Sequence, residues 1–298
     1  MQQGRILVVD DDPTFREMIS HYLKKKYTEV LMADCGISAL ACLEKAPFDL
    51  IISDINMPEM KGYELLGKVK ELYPKIKTAL ITGWSIDENI KNALEYGVSN
   101  IISKSVPFDF NEFDFLINRL LSGNIFGLIP LMESGAELHV LRLTRSDELD
   151  EARQIIISFL RDGGMSEDRL LAFQLVIEEA FRNALYLPLD KSRSEFVEVP
   201  KDKAVEVVYG KDHLKFGLSV RDLYGKMDVK TILENLDQCI EPSGRDDYTE
   251  DIRGIFIIRS MVSRTIINLH RNYKTEVNML INFDPEEKEN KPLLIYEL

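Results

Sequence analysis

Alternation is the dominant pattern of the first 122 residues. Apolar runs ILVV (6–9), VLMA (30–33), LIIS (50–53), TALIT (78–82) and NIIS (100–103) are each followed by a segment with helical spacing. Short buried strands alternating with helices predict an α/β domain with a doubly wound, five-stranded parallel sheet. The expected order is flavodoxin-like, with its switch point between the first and third strands. FNEFDFLINRLL (110–121) sets Phe113, Leu116, Ile117, Leu120 and Leu121 on one helical face and closes this domain at 122.

The pattern then changes. Residues 123–136 carry Ile125, Phe126, Leu128, Ile129, Leu131 and Met132 between glycines and a proline. A flexible linker is polar and rich in Ser and Gly, so this apolar one is expected to pack against one or both domains. From 137 to 298 a strand (LHVLRLTR) precedes a helix from 147 to 161 and a long amphipathic helix over 167–187. Strands AVEVVYG and HLKFGLSVRD, a helix over 228–239 and a helix in GIFIIRSMVSR follow. Strands TIINLHR, TEVNMLINF and LLIYEL close the chain. Strands grouped with helices in this way predict a two-layer α+β sandwich.

Composition narrows the function. A 298-residue chain, 45% hydrophobic and 29% charged, suits two soluble domains. Its net charge of −13 argues against an output that grips nucleic acid. Cys35, Cys42 and Cys239 show no metal-binding or disulfide spacing. The four histidines, His21, His139, His213 and His270, match no ligand spacing either. No apolar run reaches membrane-spanning length and no leader is evident, so a cytoplasmic location without membrane contact is expected.

Candidate chemistry collects at strand ends. Asp54 follows the third apolar run, in IISDINMPEMKG, and Asp10, Asp11 and Asp12 follow the first. Carboxylates converging at the switch point repel unless a cation holds them, and oxygen-only ligands favour magnesium. Asp54 is therefore the expected phosphoryl acceptor, with Asp10 and Asp11 as metal ligands. Thr82 ends the fourth run and Lys104 the fifth, supplying a hydroxyl and an ammonium for phosphate oxygens. In the long helix, Glu179 and Asn183 stand four residues apart on one face. An amide oxygen there suits magnesium and a carboxylate suits proton transfer, although a polar stripe facing solvent is the commoner meaning of such a pair. Trp84, near Thr82, reads as packing or loop shielding.

VVDDDP, SDINMPEMKG, LITG and IISK, in this order, resemble the receiver domain of two-component response regulators. The resemblance implies phosphorylation of Asp54 by a sensor histidine kinase or phosphotransfer protein. It also implies magnesium bound by Asp11, Asp54 and the backbone carbonyl of Asn56, and movement of Thr82 towards the phosphate. The aromatic switch position of that family is held here by Ile101, and the proline after the lysine by Ser105, with Pro107 following.

The second half resembles the histidine-kinase-like ATPase (GHKL) fold of anti-sigma factor serine kinases. That resemblance implies Glu179 as general base, Asn183 as magnesium ligand, Asp222 as acceptor for the adenine amino group, and Gly254 in a phosphate-cradling box, with ATP as cofactor. Tyr224 and Phe256 interrupt the glycine boxes, and the charged stretch 244–254 is either a lid or a solvated loop. The leading expectation is a response regulator whose output domain works by protein contact with a sigma-factor or anti-sigma-antagonist system. The alternatives are a phosphorylation-gated serine/threonine protein kinase and a degenerate domain that only forms a homodimer.

Overall fold

The computed structural model describes residues 2–83, 95–96, 100–104, 108–240, 250–283 and 293–297. Trp84, Ser105, Pro107 and 244–249 of the charged stretch lie outside them. The chain divides into two compact units, the first up to Ile125 and the second from Phe126 to Glu297.

In the first unit β1 (Gln2–Val9), β2 (Tyr27–Ala33), β3 (Leu50–Asp54), β4 (Lys77–Thr82) and β5 (Ile101–Ser103) form a parallel sheet of order β2-β1-β3-β4-β5. Helices α1 (Pro13–Lys24), α2 (Gly36–Lys45), α3 (Gly62–Leu72) and α4 (Phe110–Ser122) accompany it. Asp12 caps α1 by accepting the Thr14 amide, and Pro13 occupies the first turn, where no intrahelical partner for its nitrogen is needed. The runs read as buried strands are buried: Ile6, Leu7, Val9, Leu50 and Ile51 are wholly inaccessible. So are Phe113 and Ile117 on the apolar face of α4, and each such side chain contributes about 1.5–3 kcal/mol by leaving water.

The second unit is a mixed sheet of order β11-β9-β10-β8-β7-β6. Its strands are β6 (Glu137–Leu143), β7 (Val205–Lys211), β8 (Lys215–Asp222), β9 (Arg264–His270), β10 (Lys274–Asn282) and β11 (Leu293–Glu297). Neighbours run antiparallel except β11, which lies parallel to β9. Helices α5 (Leu149–Asp162), α6 (Glu167–Leu185), α7 (Val229–Ile240) and α8 (Glu250–Met261) complete the unit. Phe216 of β8 meets Phe173 of α6 edge to face at 5.6 Å, which identifies the helix-facing side of the sheet.

The opposite side is polar and carries the apolar segment after Ile125. Glu276, Arg221 and Asn268 stand in register on β10, β8 and β9. Lys274 lies 3.9 Å from the Phe126 ring, and the Gly127 amide donates to Glu276 at 2.8 Å. Gly217 has no side chain because Leu128 and Met132 pass over it: a Cβ would stand 2.7 Å from the Met132 sulfur. The segment therefore packs, as its apolar content implied, and it does so on the second unit.

Candidate functional site

Strand register builds the first site. Val9 pairs with Ser53, so Asp10 and Asp54 emerge side by side at the carboxyl ends of β1 and β3. Asp54 pairs with Ile81, which puts Thr82 one residue further on. Thr82 in turn pairs with Ser103, and Lys104 follows. Four side chains far apart in sequence thus reach one edge because parallel strands end in a row. The Lys104 ammonium donates to Asp10 Oδ2 at 2.9 Å and to Asp54 Oδ1 at 3.1 Å, and its own backbone amide bonds the Thr82 carbonyl at 2.6 Å.

Electrostatics follow from burial. Asp10 is almost inaccessible. Burial raises its carboxyl above the usual range, against the Lys104 hydrogen bond, and the nearby Asp54 charge pushes the same way. Burial alone would lower Lys104, but the hydrogen bond to Asp10 and the two carboxylate charges outweigh it, so its pKa is raised. The ammonium thus stays charged between the two carboxylates.

Local backbone sets the loop after β3. The Asn56 amide donates to Asp54 Oδ2 at 2.6 Å, and the Gly62 amide bonds the Ile55 carbonyl at 2.9 Å. Gly62 is required there, since a Cβ would fall 1.9 Å from the Asp54 carbonyl oxygen. Asp10 and Asp54 are the two carboxylates that share the Lys104 ammonium. Asp11 is exposed, and among the described residues no three His, Cys, Asp or Glu side chains form a metal-binding group. The lysine, rather than a third carboxylate, is the close neighbour of the pair.

The family model for the response regulator receiver domain matches residues 6–114. An uncharacterised 14.6 kDa protein of Leptolyngbya boryana is 38% identical over 109 residues, covering 36% of this chain and 82% of that protein. The first unit is a response regulator receiver domain. Through it the chain belongs to the receiver family. The response regulator protein FleR of Pseudomonas aeruginosa is 32% identical over 124 residues, 42% of this chain but 26% of FleR. The sensor histidine kinase RcsC of Escherichia coli is 34% identical over 104 residues, 35% of this chain and 11% of RcsC. Among solved structures, the response regulator TrrA of Thermotoga maritima in complex with magnesium and beryllofluoride is 31% identical, with a TM-score of 0.36, over 41% of this chain and all of TrrA. Each of these matches covers less than half of this chain.

Outside the receiver, the Glu179–Asn183 pair does not face solvent. Both residues are buried, and the Glu179 carboxylate is held by Arg182 at 3.1 Å and by Arg193. Among the described residues neither Asn183 amide atom has a hydrogen-bond partner. Gly254 joins them: a Cβ there would meet Glu179 Oε2 at 2.9 Å and Asn183 Oδ1 at 3.3 Å. Helix α8 begins at Glu250, so Gly254 lies inside it and not at its start, beyond the free amides that would cradle an anion.

Asp222 is occupied by its own loop. Its Oδ1 accepts the amides of Tyr224 at 2.8 Å and Gly225 at 2.9 Å. Burial raises its pKa against those two donors. Gly225, at φ 60°, packs against the turn after β9, where a Cβ would stand 2.5 Å from the His270 carbonyl oxygen. Arg182 and Arg193, the partners of Glu179, had no motif to announce them. Nor did Phe15, whose ring lies 4.1 Å from the Lys104 ammonium.

Proposed function

We propose that the chain is a response regulator of a two-component phosphorelay, that Asp54 accepts the phosphoryl group, and that the second unit delivers the output through protein contact. The observation that carries this reading is the Lys104 ammonium bonded at once to Asp10 and Asp54. An Asp54 oxygen attacks phosphorus and forms an acyl phosphate. The P–N bond of a phosphohistidine donor breaks, and the imidazole retains that electron pair and takes up a proton. Lys104 is already placed to meet the negative charge on the phosphoryl oxygens, and positioning with charge stabilisation is most of what such a transfer needs.

The donor set fits magnesium, which commonly takes one or two carboxylates and keeps several waters. Asp10, Asp11, Asp54 and the Asn56 carbonyl would hold it, the exposed Asp11 from the solvent side. When bound, the ion would neutralise charge on the transferred group. The partner is a sensor histidine kinase or a phosphotransfer protein. The test is labelling by radioactive acetyl phosphate with magnesium: wild type takes up label, and retention of label by Asp54→Asn would sink the assignment.

For the second unit, the reading as a GHKL-type module rests on element order and on the meeting of Glu179, Asn183 and Gly254. The Glu179 carboxylate is already bonded to two arginines, and Asp222 is engaged by its own loop. Both features favour an output by protein contact over catalysis, with a sigma factor or anti-sigma antagonist as the kind of partner the resemblance suggests. One observation favours a serine/threonine kinase instead: the buried Asn183 amide, without a partner among the described residues, is a polar group suited to a ligand. Calorimetric titration of ATP with magnesium separates the two. Saturable binding abolished by Asn183→Ala supports the kinase, and no binding at millimolar ATP supports the interaction module.

A further inference from the structure

The receiver side chains around Lys104 include one that no phosphoryl chemistry requires. Phe15, in the first turn of α1, presents its ring 4.1 Å from the ammonium. Two carboxylates take hydrogen bonds from that ammonium, and the ring face covers another side of it. Such a ring attracts a partly desolvated cation and cannot move without disturbing it.

Phe15 is also the first member of a chain of rings. Phe108 meets it edge to face, with centroids 5.4 Å apart and planes at 83°. Phe108 continues to Phe110 at 5.0 Å and to Phe113 at 5.5 Å, both on α4. Tyr22 of α1 closes the cluster, 4.3 Å from Phe110, and its hydroxyl bonds Asp114. Ile101, which holds the usual aromatic switch position, is a buried aliphatic residue.

We infer that Phe15 is a positioning residue for Lys104, and that it passes the lysine's response to Asp54 phosphorylation on to Phe108 and α4. This rests on Asp54 being the phosphoacceptor. Phosphorylation replaces one carboxylate oxygen facing the ammonium by a more highly charged phosphoryl group. The ammonium follows the charge, its contact with the Phe15 ring changes, and the edge-to-face contact with Phe108 changes in turn. The ring contact also restricts the lysine before the phosphoryl group arrives, and that preorganisation strengthens its grip on the new charge.

The test uses the full-length protein, with beryllofluoride and magnesium as the phosphoryl mimic and acetyl phosphate as the donor. Phe15→Leu is expected to weaken beryllofluoride binding about five- to tenfold, whereas Phe15→Tyr, which keeps the ring, stays within about twofold of wild type. With fluorophenylalanine incorporated, the Phe108 resonance, assigned by its loss in Phe108→Leu, shifts on adding the mimic to wild type and stays still in Phe15→Leu. Phe108→Leu itself leaves beryllofluoride affinity within about twofold, because it leaves the ring on the lysine. Equal affinity of Phe15→Leu and wild type overturns the positioning role, and an equal loss in Phe15→Leu and Phe15→Tyr does the same. A Phe108 resonance that shifts fully in Phe15→Leu overturns the relay. Failure of the underlying reading is distinct, since Asp54→Asn would then still take label from acetyl phosphate.

Discussion

Replacing Glu276 by glutamine probes the polar side of the second sheet most directly. This carboxylate is wholly inaccessible. Oε1 takes two bonds from the Arg221 guanidinium, at 2.6 and 3.0 Å. Oε2 takes Asn268 Nδ2 at 2.7 Å, Asn278 Nδ2 at 3.0 Å and the Gly127 amide at 2.8 Å. A glutamine keeps the shape but turns one oxygen into a donor facing donors, and it removes one of the two carboxylate partners of Arg221, the other being Glu206 at 2.9 Å. Breaking a buried pair from one side costs about 3–5 kcal/mol. The lower end applies, because Arg221 keeps Glu206, and because among the described residues the Asn268 and Asn278 side-chain oxygens have no partner and either amide can turn to offer its oxygen. A loss of about 3 kcal/mol corresponds to roughly hundredfold faster exchange wherever opening requires this network to break.

The assay is hydrogen exchange on the full-length protein, read on peptides covering 126–132, β9 and β10, with β1 and β3 of the receiver as internal control. The pH dependence adds a second reading. Burial works to raise the Glu276 pKa, but the Arg221 charge and the bonds from Asn278 and the Gly127 amide outweigh it, so the native value lies below the usual 4.5. The native state then binds this proton less readily than the unfolded chain. The stabilisation is complete above about 4.5 and is lost as pH falls through the lowered native value. Acid therefore erodes the difference between wild type and Glu276→Gln. Acceleration of less than about threefold at neutral pH, or equal acceleration in β1 and β3, would refute the reasoning.

Three further outcomes are expected. Gly62→Ala should lower the receiver's melting temperature through a clash worth about 1–3 kcal/mol, since its Cβ would lie 1.9 Å from the Asp54 carbonyl oxygen; an unchanged melt would mean that α3 starts elsewhere. Lys104→Met should abolish acetyl phosphate labelling and destabilise the receiver by about 3 kcal/mol in thermal unfolding, because it leaves Asp10 and Asp54 together without their shared cation; full labelling would remove the lysine from the chemistry. Asn183→Leu should stabilise the second unit by about 1 kcal/mol against urea, because it removes a buried amide with no partner among the described residues; a clear loss of stability would show that the amide is satisfied in solution.

The receiver site was largely legible before folding was considered. Parallel strands end in a row, so an Asp, Thr or Lys that closes a buried apolar run is delivered to a common edge, and Asp10, Asp54, Thr82 and Lys104 arrive there by register alone. Burial was not legible in the same way: Asp11, next to Asp10 in sequence, is exposed, and Lys104, the residue after β5, bonds both Asp10 and Asp54. In the second unit, helical spacing put Glu179 and Asn183 on one face, but spacing says nothing about what packs on that face. The long helix could turn it to water or to the core, and the packing of α8, with Gly254 against it, buried both.

The Glu276 network was the least legible. Its members alternate with apolar residues along β8, β9 and β10, and polar alternation ordinarily marks a face left to water. The apolar stretch after Ile125 showed that it would pack but not where. Composition and periodicity determined the two sheets, the strand ends and the residues available for phosphoryl chemistry, because each depends on neighbours within a few residues. Only the tertiary structure decided which charges meet, since pairing Glu276 with Arg221 and Gly127 takes strands and a segment that are distant along the chain.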